Sequence, residues 1–150
     1  MIRFIFTFLV GAFLASCGQA QPSDTPQISS GYLYKVETGI SGKEVYICGQ
    51  RPFNAQGQLV GASNLGLQTK QVFENLTTAL KTVNMTLRNV TQVTYMIKNA
   101  ATRVDSVHVK VINAQAANQF TQVPGIVEMK NVAQNVRDDV LIEIEVTAVK

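Results

Sequence analysis

Histidine occurs once, at His108, and cysteine twice, at Cys17 and Cys48, in a chain of 150 residues. That supply falls short of the three or four ligands that a protein zinc site gathers, so no metal is expected. A single histidine also confines any Ser–His–Asp or Cys–His arrangement to one built on His108 itself, whose ordinary reading is a surface or helix residue. No glycine-rich loop stands between a strand and a helix, since the glycines near 57–66 lack that context, and a phosphate cradle is excluded with it. The balance of 13 Lys and Arg against 10 Asp and Glu gives a net charge of +3 and a pI of about 9.0. Yet the cations form no run and accompany no aromatic strand motif of the kind that stacks bases, which argues against a nucleic-acid partner.

The chain also lacks an apolar run of the about 20 residues that a membrane-spanning helix needs. The run it has, Phe4 to Ala15 in MIRFIFTFLVGAFLAS, is shorter, follows a single cation at Arg3 and ends in small residues. That is the pattern of an export signal over residues 1–16. It closes on Leu14-Ala15-Ser16-Cys17-Gly18, which is similar to the bacterial lipobox, in which the cysteine is acylated and becomes the new N-terminus. More than one acyl chain on Cys17 would hold the protein stably on a membrane. Gly18, in place of the aspartate that favours inner-membrane retention, implies the periplasmic face of the outer membrane in a Gram-negative cell. With the Cys17 sulfur acylated, no disulfide between the two cysteines is expected, and Cys48 could serve as a nucleophile or only as a small residue in a tight place. Residues 18–30, GQAQPSDTPQISS, are polar with two prolines and read as a tether joining the lipidated Cys17 to a domain at 31–150.

Within that domain Tyr32–Val36 and Glu44–Cys48 read as two strands across a turn-rich TGISGKE, followed by a second turn at Asn54–Gly57. Leu67, Val72, Leu76, Leu80 and Val83 recur at helical spacing. Val90–Lys98 is β-branched and bounded by asparagines, a strand. Residues 102–120 fit a helix face through Val104, Val107, Val111 and Ala114, and a strand through Val107, Val109 and Val111; the length and the AQAANQF ending favour the helix. Strands at Val127–Ala133 and Val140–Val149 complete a ββαβαββ order, an α+β fold with two helices on one face of a mixed sheet.

Three motifs then fall in order: Cys48-Gly49-Gln50 ending a strand, Gln68-Thr69 with Glu74-Asn75-Leu76 on the helix after it, and Ile142-Glu143-Ile144-Glu145-Val146-Thr147-Ala148 in the last strand. Together they resemble the RidA/YjgF family, over about residues 31–149. The resemblance implies a chorismate-mutase-like fold, a homotrimer with three clefts between subunits, no cofactor, and in active members the hydrolysis of enamines and imines such as 2-aminoacrylate. An older label for the family is endoribonuclease. Glu143 stands at the family's water-holding glutamate; its alternative is a solvated strand face shared with Glu145 and Thr147. Tyr34 matches a cleft tyrosine, and Asn113 the asparagine of the second helix, with His108 competing for that place. Cys48 takes the usual serine position before Gly49, where the bare backbone approaches the ligand. The arginine that grips the substrate carboxylate in active members falls on Glu128, counted back without gaps from the last strand, or on Ile126 when aligned on Pro124. Arg51, beside Gln50, and Arg137 are the cations that could act from another direction.

These readings converge on a lipid-anchored trimer that binds a small molecule, with the family's deaminase activity lost or altered. The rivals are an active imine deaminase of different substrate preference and an envelope structural lipoprotein.

Overall fold

The computed structural model describes residues 44–99, 103–133 and 135–150. The expected export signal and tether, Cys17, the expected strand at Tyr32–Val36 and Tyr34 all lie outside the described residues. No helix among the described residues is long and apolar enough to cross a membrane.

The chain runs β1 (Glu44–Gln50), α1 (Leu65–Thr82), a single 3₁₀ turn at Leu87–Asn89, β2 (Val90–Lys98), α2 (Ser106–Gln119), β3 (Ile126–Val132) and β4 (Ile142–Val149). The sheet order is β1-β4-β2-β3, so the last strand inserts between the first two. β4 is antiparallel to both neighbours, whereas β2 and β3 are parallel and joined through α2. The result is the expected mixed α+β fold with two helices.

Asn64 caps α1, its side-chain oxygen accepting from the Leu67 amide at 3.0 Å, and satisfies a donor that the first helical turn leaves over. At the other end Asn84 takes the left-handed conformation, φ 57°, and the Met85 amide donates to the Leu80 carbonyl, a turn that ends the helix. The buried stripe of α1 includes Val72, Phe73, Leu76, Ala79 and Leu80. Leu67, expected on this stripe, is instead 51% exposed, because Gln68 and Thr69 hold the inward positions of the first turn.

The segment 102–120 is helical over Ser106–Gln119, started by Asp105, whose carboxylate accepts from the His108 amide at 2.8 Å. Its inward face differs from the expected one: Val107 is 65% exposed and Ala114 is exposed, while Ile112 is fully buried. Phe120 then packs edge-on against Phe73 of α1, ring centres 5.4 Å apart, and ties the two helices into one layer.

Val45, Ile47, Val93, Tyr95, Ile97, Ile142, Ile144, Val146 and Ala148 are buried beneath the helices. Their strand neighbours Tyr46, Thr94, Met96, Glu143, Glu145 and Thr147 therefore point to the other face, which no described helix covers.

Candidate active site

The pairing of β1 with β4 slips between Ile47 and Gln50: Ile47 lies across from Val146, Gln50 from Ile144. Cys48 and Gly49 thus stand together against Glu145, a bulge that resets the alternation of the strand. Without it Gly49 would follow Val45 and Ile47 inward. With it Gln50 turns into the core, fully buried, and its amide donates to the Cys48 carbonyl at 3.1 Å.

The bulge brings Gly49 under the side chain of Glu143. A methyl group on Gly49 would coincide with the Glu143 carboxylate, so the glutamate lies on bare backbone. Beyond Gly49 the chain presents Arg51, whose Nε donates to Glu143 Oε2 at 2.8 Å and whose Nη2 donates to Oε1 at 3.4 Å. This side-on fork is the geometry that guanidinium offers a carboxylate. The two side chains keep only 23% and 13% of their exposure.

Buried amides of α1 fix this arrangement. Asn75 Nδ2 donates to the carbonyls of Arg51 at 2.7 Å and Phe53 at 2.9 Å, and Gln71 Nε2 orients it through Asn75 Oδ1 at 3.0 Å. Gln68 joins the loop before α1 to the entry of β4: its Nε2 donates to the Gly61 and Asp139 carbonyls, and its Oε1 accepts from the Leu141 amide at 2.7 Å. Both residues belong to motifs quoted from the sequence, but neither was given a role there. A polar residue inside an otherwise apolar helical stripe was the available signal, since a buried amide needs partners.

Further along the open face, burial pushes the Tyr46 phenol up to about 12, with the hydrogen bond it donates to the Glu145 carboxylate and the negative charge of that group adding to the effect. Cys48 is half-buried beside it. Tyr46, Thr94, Lys130, Glu145 and Thr147 line a shallow polar depression of about 220 Å³. Glu128 reaches the same face from β3, where Lys130 Nζ lies 2.9 Å from its Oε2 and Thr94 Oγ1 donates to that oxygen at 3.4 Å. The Lys130 hydrogen bond and charge hold the Glu128 carboxyl below its ordinary range.

The structure therefore gathers Cys48, Gly49, Arg51 and Glu143 at the junction of β1 and β4. Gln50 sits behind them, and Glu128 stands two strands away. Asn113 is on the helical layer, exposed on α2 at the rim of an apolar depression of about 200 Å³ with Tyr95, Phe120, Val123 and Val127. His108 lies on the same helix, its Nδ1 3.4 Å from Asp105 Oδ2. Arg137, the other candidate cation, grips Asp139 through Nε and Nη2 and lies over the Phe53 ring, 5.8 Å from its centre. Among the described residues no three His, Cys, Asp or Glu side chains group as metal ligands.

The model of the family described as Endoribonuclease L-PSP matches residues 24–150. The chain belongs to this family, the RidA/YjgF family. Among solved structures it is similar to the Rid-family protein YyfB from Yersinia pestis, itself described as of unknown function. The two share 28% identity and a TM-score of 0.65, over 87% of this chain and 95% of that one. A putative endoribonuclease from Thermotoga maritima matches at 25% identity and a TM-score of 0.66, over 81% and 90% of the two chains. E. coli TdcF with bound serine matches at 21% identity and a TM-score of 0.65, over 83% and 94%; at that identity the likeness shows a shared fold. No curated protein matches this RidA/YjgF chain.

Proposed function

We propose that this RidA/YjgF protein is a homotrimer that binds a small metabolite in clefts between its subunits, with the enamine and imine deaminase activity of active members lost or altered. The observation that carries the reading is the fork between Arg51 and Glu143. A glutamate that is to hold or activate water needs a carboxylate edge turned to that water. Here both Glu143 oxygens already accept from Arg51. Neither position onto which the substrate-gripping arginine of active members can fall offers a cation: Ile126 is apolar, and Glu128 is paired with Lys130. The need for a second subunit fits the position of the site: the principal depressions among the described residues are lined by neither Arg51 nor Glu143, and both lie on a sheet face that no described helix covers.

The export signal and lipobox add a place for this activity. We assign the protein to the cell envelope, anchored through acylated Cys17 on the periplasmic face of the outer membrane in a Gram-negative cell. Incorporation of labelled palmitate that Cys17→Ser abolishes is the expected result; labelling that survives the substitution removes the anchor.

The chemistry is tested by ammonia release. An amino-acid oxidase generates imines from neutral and acidic amino acids in the presence of the purified protein, and hydrolysis is followed against the rate without it. The expected outcome is no acceleration from a folded trimer. Acceleration that disappears in Glu143→Ala would instead establish a deaminase working without the usual arginine.

A further inference from the structure

α2 covers the sheet thinly, since Ile112 is its one buried residue. Toward its C-terminal end the helix presents Ala116 and Ala117, whose methyl groups leave space between helix and strand. Phe120, the next large side chain, is turned edge-on to Phe73. What remains is a hollow of about 200 Å³ on the helical side of the sheet, walled further by Val123 and Val127. An apolar cavity of about 150 Å³ is enough to take benzene, so this one has room for a single ring.

Tyr95 of β2 lines the same hollow. The residue is 2% exposed, yet its hydroxyl bonds to none of the described residues. A buried tyrosine hydroxyl ordinarily has a partner, and this one is left for whatever enters. Burial alone holds the phenol above its ordinary range, so at neutral pH it keeps its proton and can donate. Apart from the Asn113 amide at the rim, the remaining lining is apolar, and among the described residues no Lys, Arg, Asp or Glu belongs to it. A charged ligand would therefore leave water without a counter-ion.

We infer that the hollow between α2 and β3 is a binding site for a small uncharged aromatic compound carrying one hydrogen-bonding oxygen, with the ring against Phe120 and the valines and the oxygen on the Tyr95 hydroxyl. The site is separate from Arg51 and Glu143, which lie on the opposite face of the sheet, and it does not depend on the function proposed for them.

The test is calorimetric titration of the full-length protein with benzyl alcohol, toluene and benzoate, with methyl NMR to locate the binding. Benzyl alcohol is expected to shift the Val123 and Val127 methyl signals and to bind at least about tenfold more tightly than benzoate. Ala116→Leu, which fills the hollow, should abolish that binding. Tyr95→Phe should weaken benzyl alcohol about fivefold, the worth of one hydrogen bond, and leave toluene unmoved. No binding of benzyl alcohol, as when a second copy of the chain covers the hollow, would overturn the inference. So would benzoate binding as tightly, binding that survives Ala116→Leu, or a Tyr95→Phe variant that binds benzyl alcohol as the parent does. Should Ala116→Leu fail to fold, Tyr95→Phe and the comparison of compounds on the parent protein decide.

Discussion

Gly49 and Glu143 are coupled by contact: the carboxylate occupies the volume that any larger residue at 49 would need. Gly49→Ala is therefore expected to destabilise the protein by about 1–3 kcal/mol, the usual cost of forcing extra volume into a filled site. It should also displace Glu143 from Arg51. In a Glu143→Ala background the obstruction is gone, and the same Gly49→Ala change is expected to cost little. Urea unfolding of the four proteins measures the coupling, and additive effects would show that the two residues do not share this space. That Cys48-Gly49-Gln50 ends a strand was legible in the order of residue types. The side each residue faces was not, because a bulge inverts the alternation on which facing is read, and the bulge is fixed by a pairing partner nearly a hundred residues away. The Arg51–Glu143 pair was hidden for the same reason. Both residues were singled out, but only the β1–β4 register brings them together.

At the scale of elements, α1 is a support for the site as well as a cover for the core. Val72, Phe73, Leu76 and Leu80 make it adhere to the sheet, and Asn75 on the same buried stripe reaches across to the chain leaving β1. Asn75→Ala leaves the Arg51 and Phe53 carbonyls without that donor. The expected cost is about 2–3 kcal/mol in urea unfolding, since an unmet buried polar group costs more than an average hydrogen bond contributes. A variant of unchanged stability would mean that the loop is fixed by other contacts. The strands and α1 were readable because their apolar periods are long and uniform. α2 was harder. Its valines satisfy two periods, and only Ile112 is fully buried along its whole length, so local pattern says little about which face turns inward.

For the whole molecule the open sheet face poses the larger question, since a sheet with one face covered by helices presents the other to solvent or to another chain. Here that face holds Glu143, Glu145 and Glu128 with Arg51 and Lys130. At the β3 edge apolar residues also remain outside the core: Ile126, at 52% exposure, on this face, and Val123 at 74% and Val127 at 47% beside the depression of the helical layer. Exposed apolar side chains gathered in one place mark a contact surface more often than a solvated one. Strand edges of this kind also invite association. Light scattering of the full-length protein is expected to give three times the chain mass, and Ile126→Lys to lower it toward the monomer, because a lysine there would be buried without a partner in the trimer. The same variant should keep the helical content of the parent, since Ile126 lies at the sheet edge and outside the packed interior. A trimer that survives Ile126→Lys would place the contact surface away from β3, and a parent that scatters as a monomer would leave Arg51 facing solvent with no cleft around it.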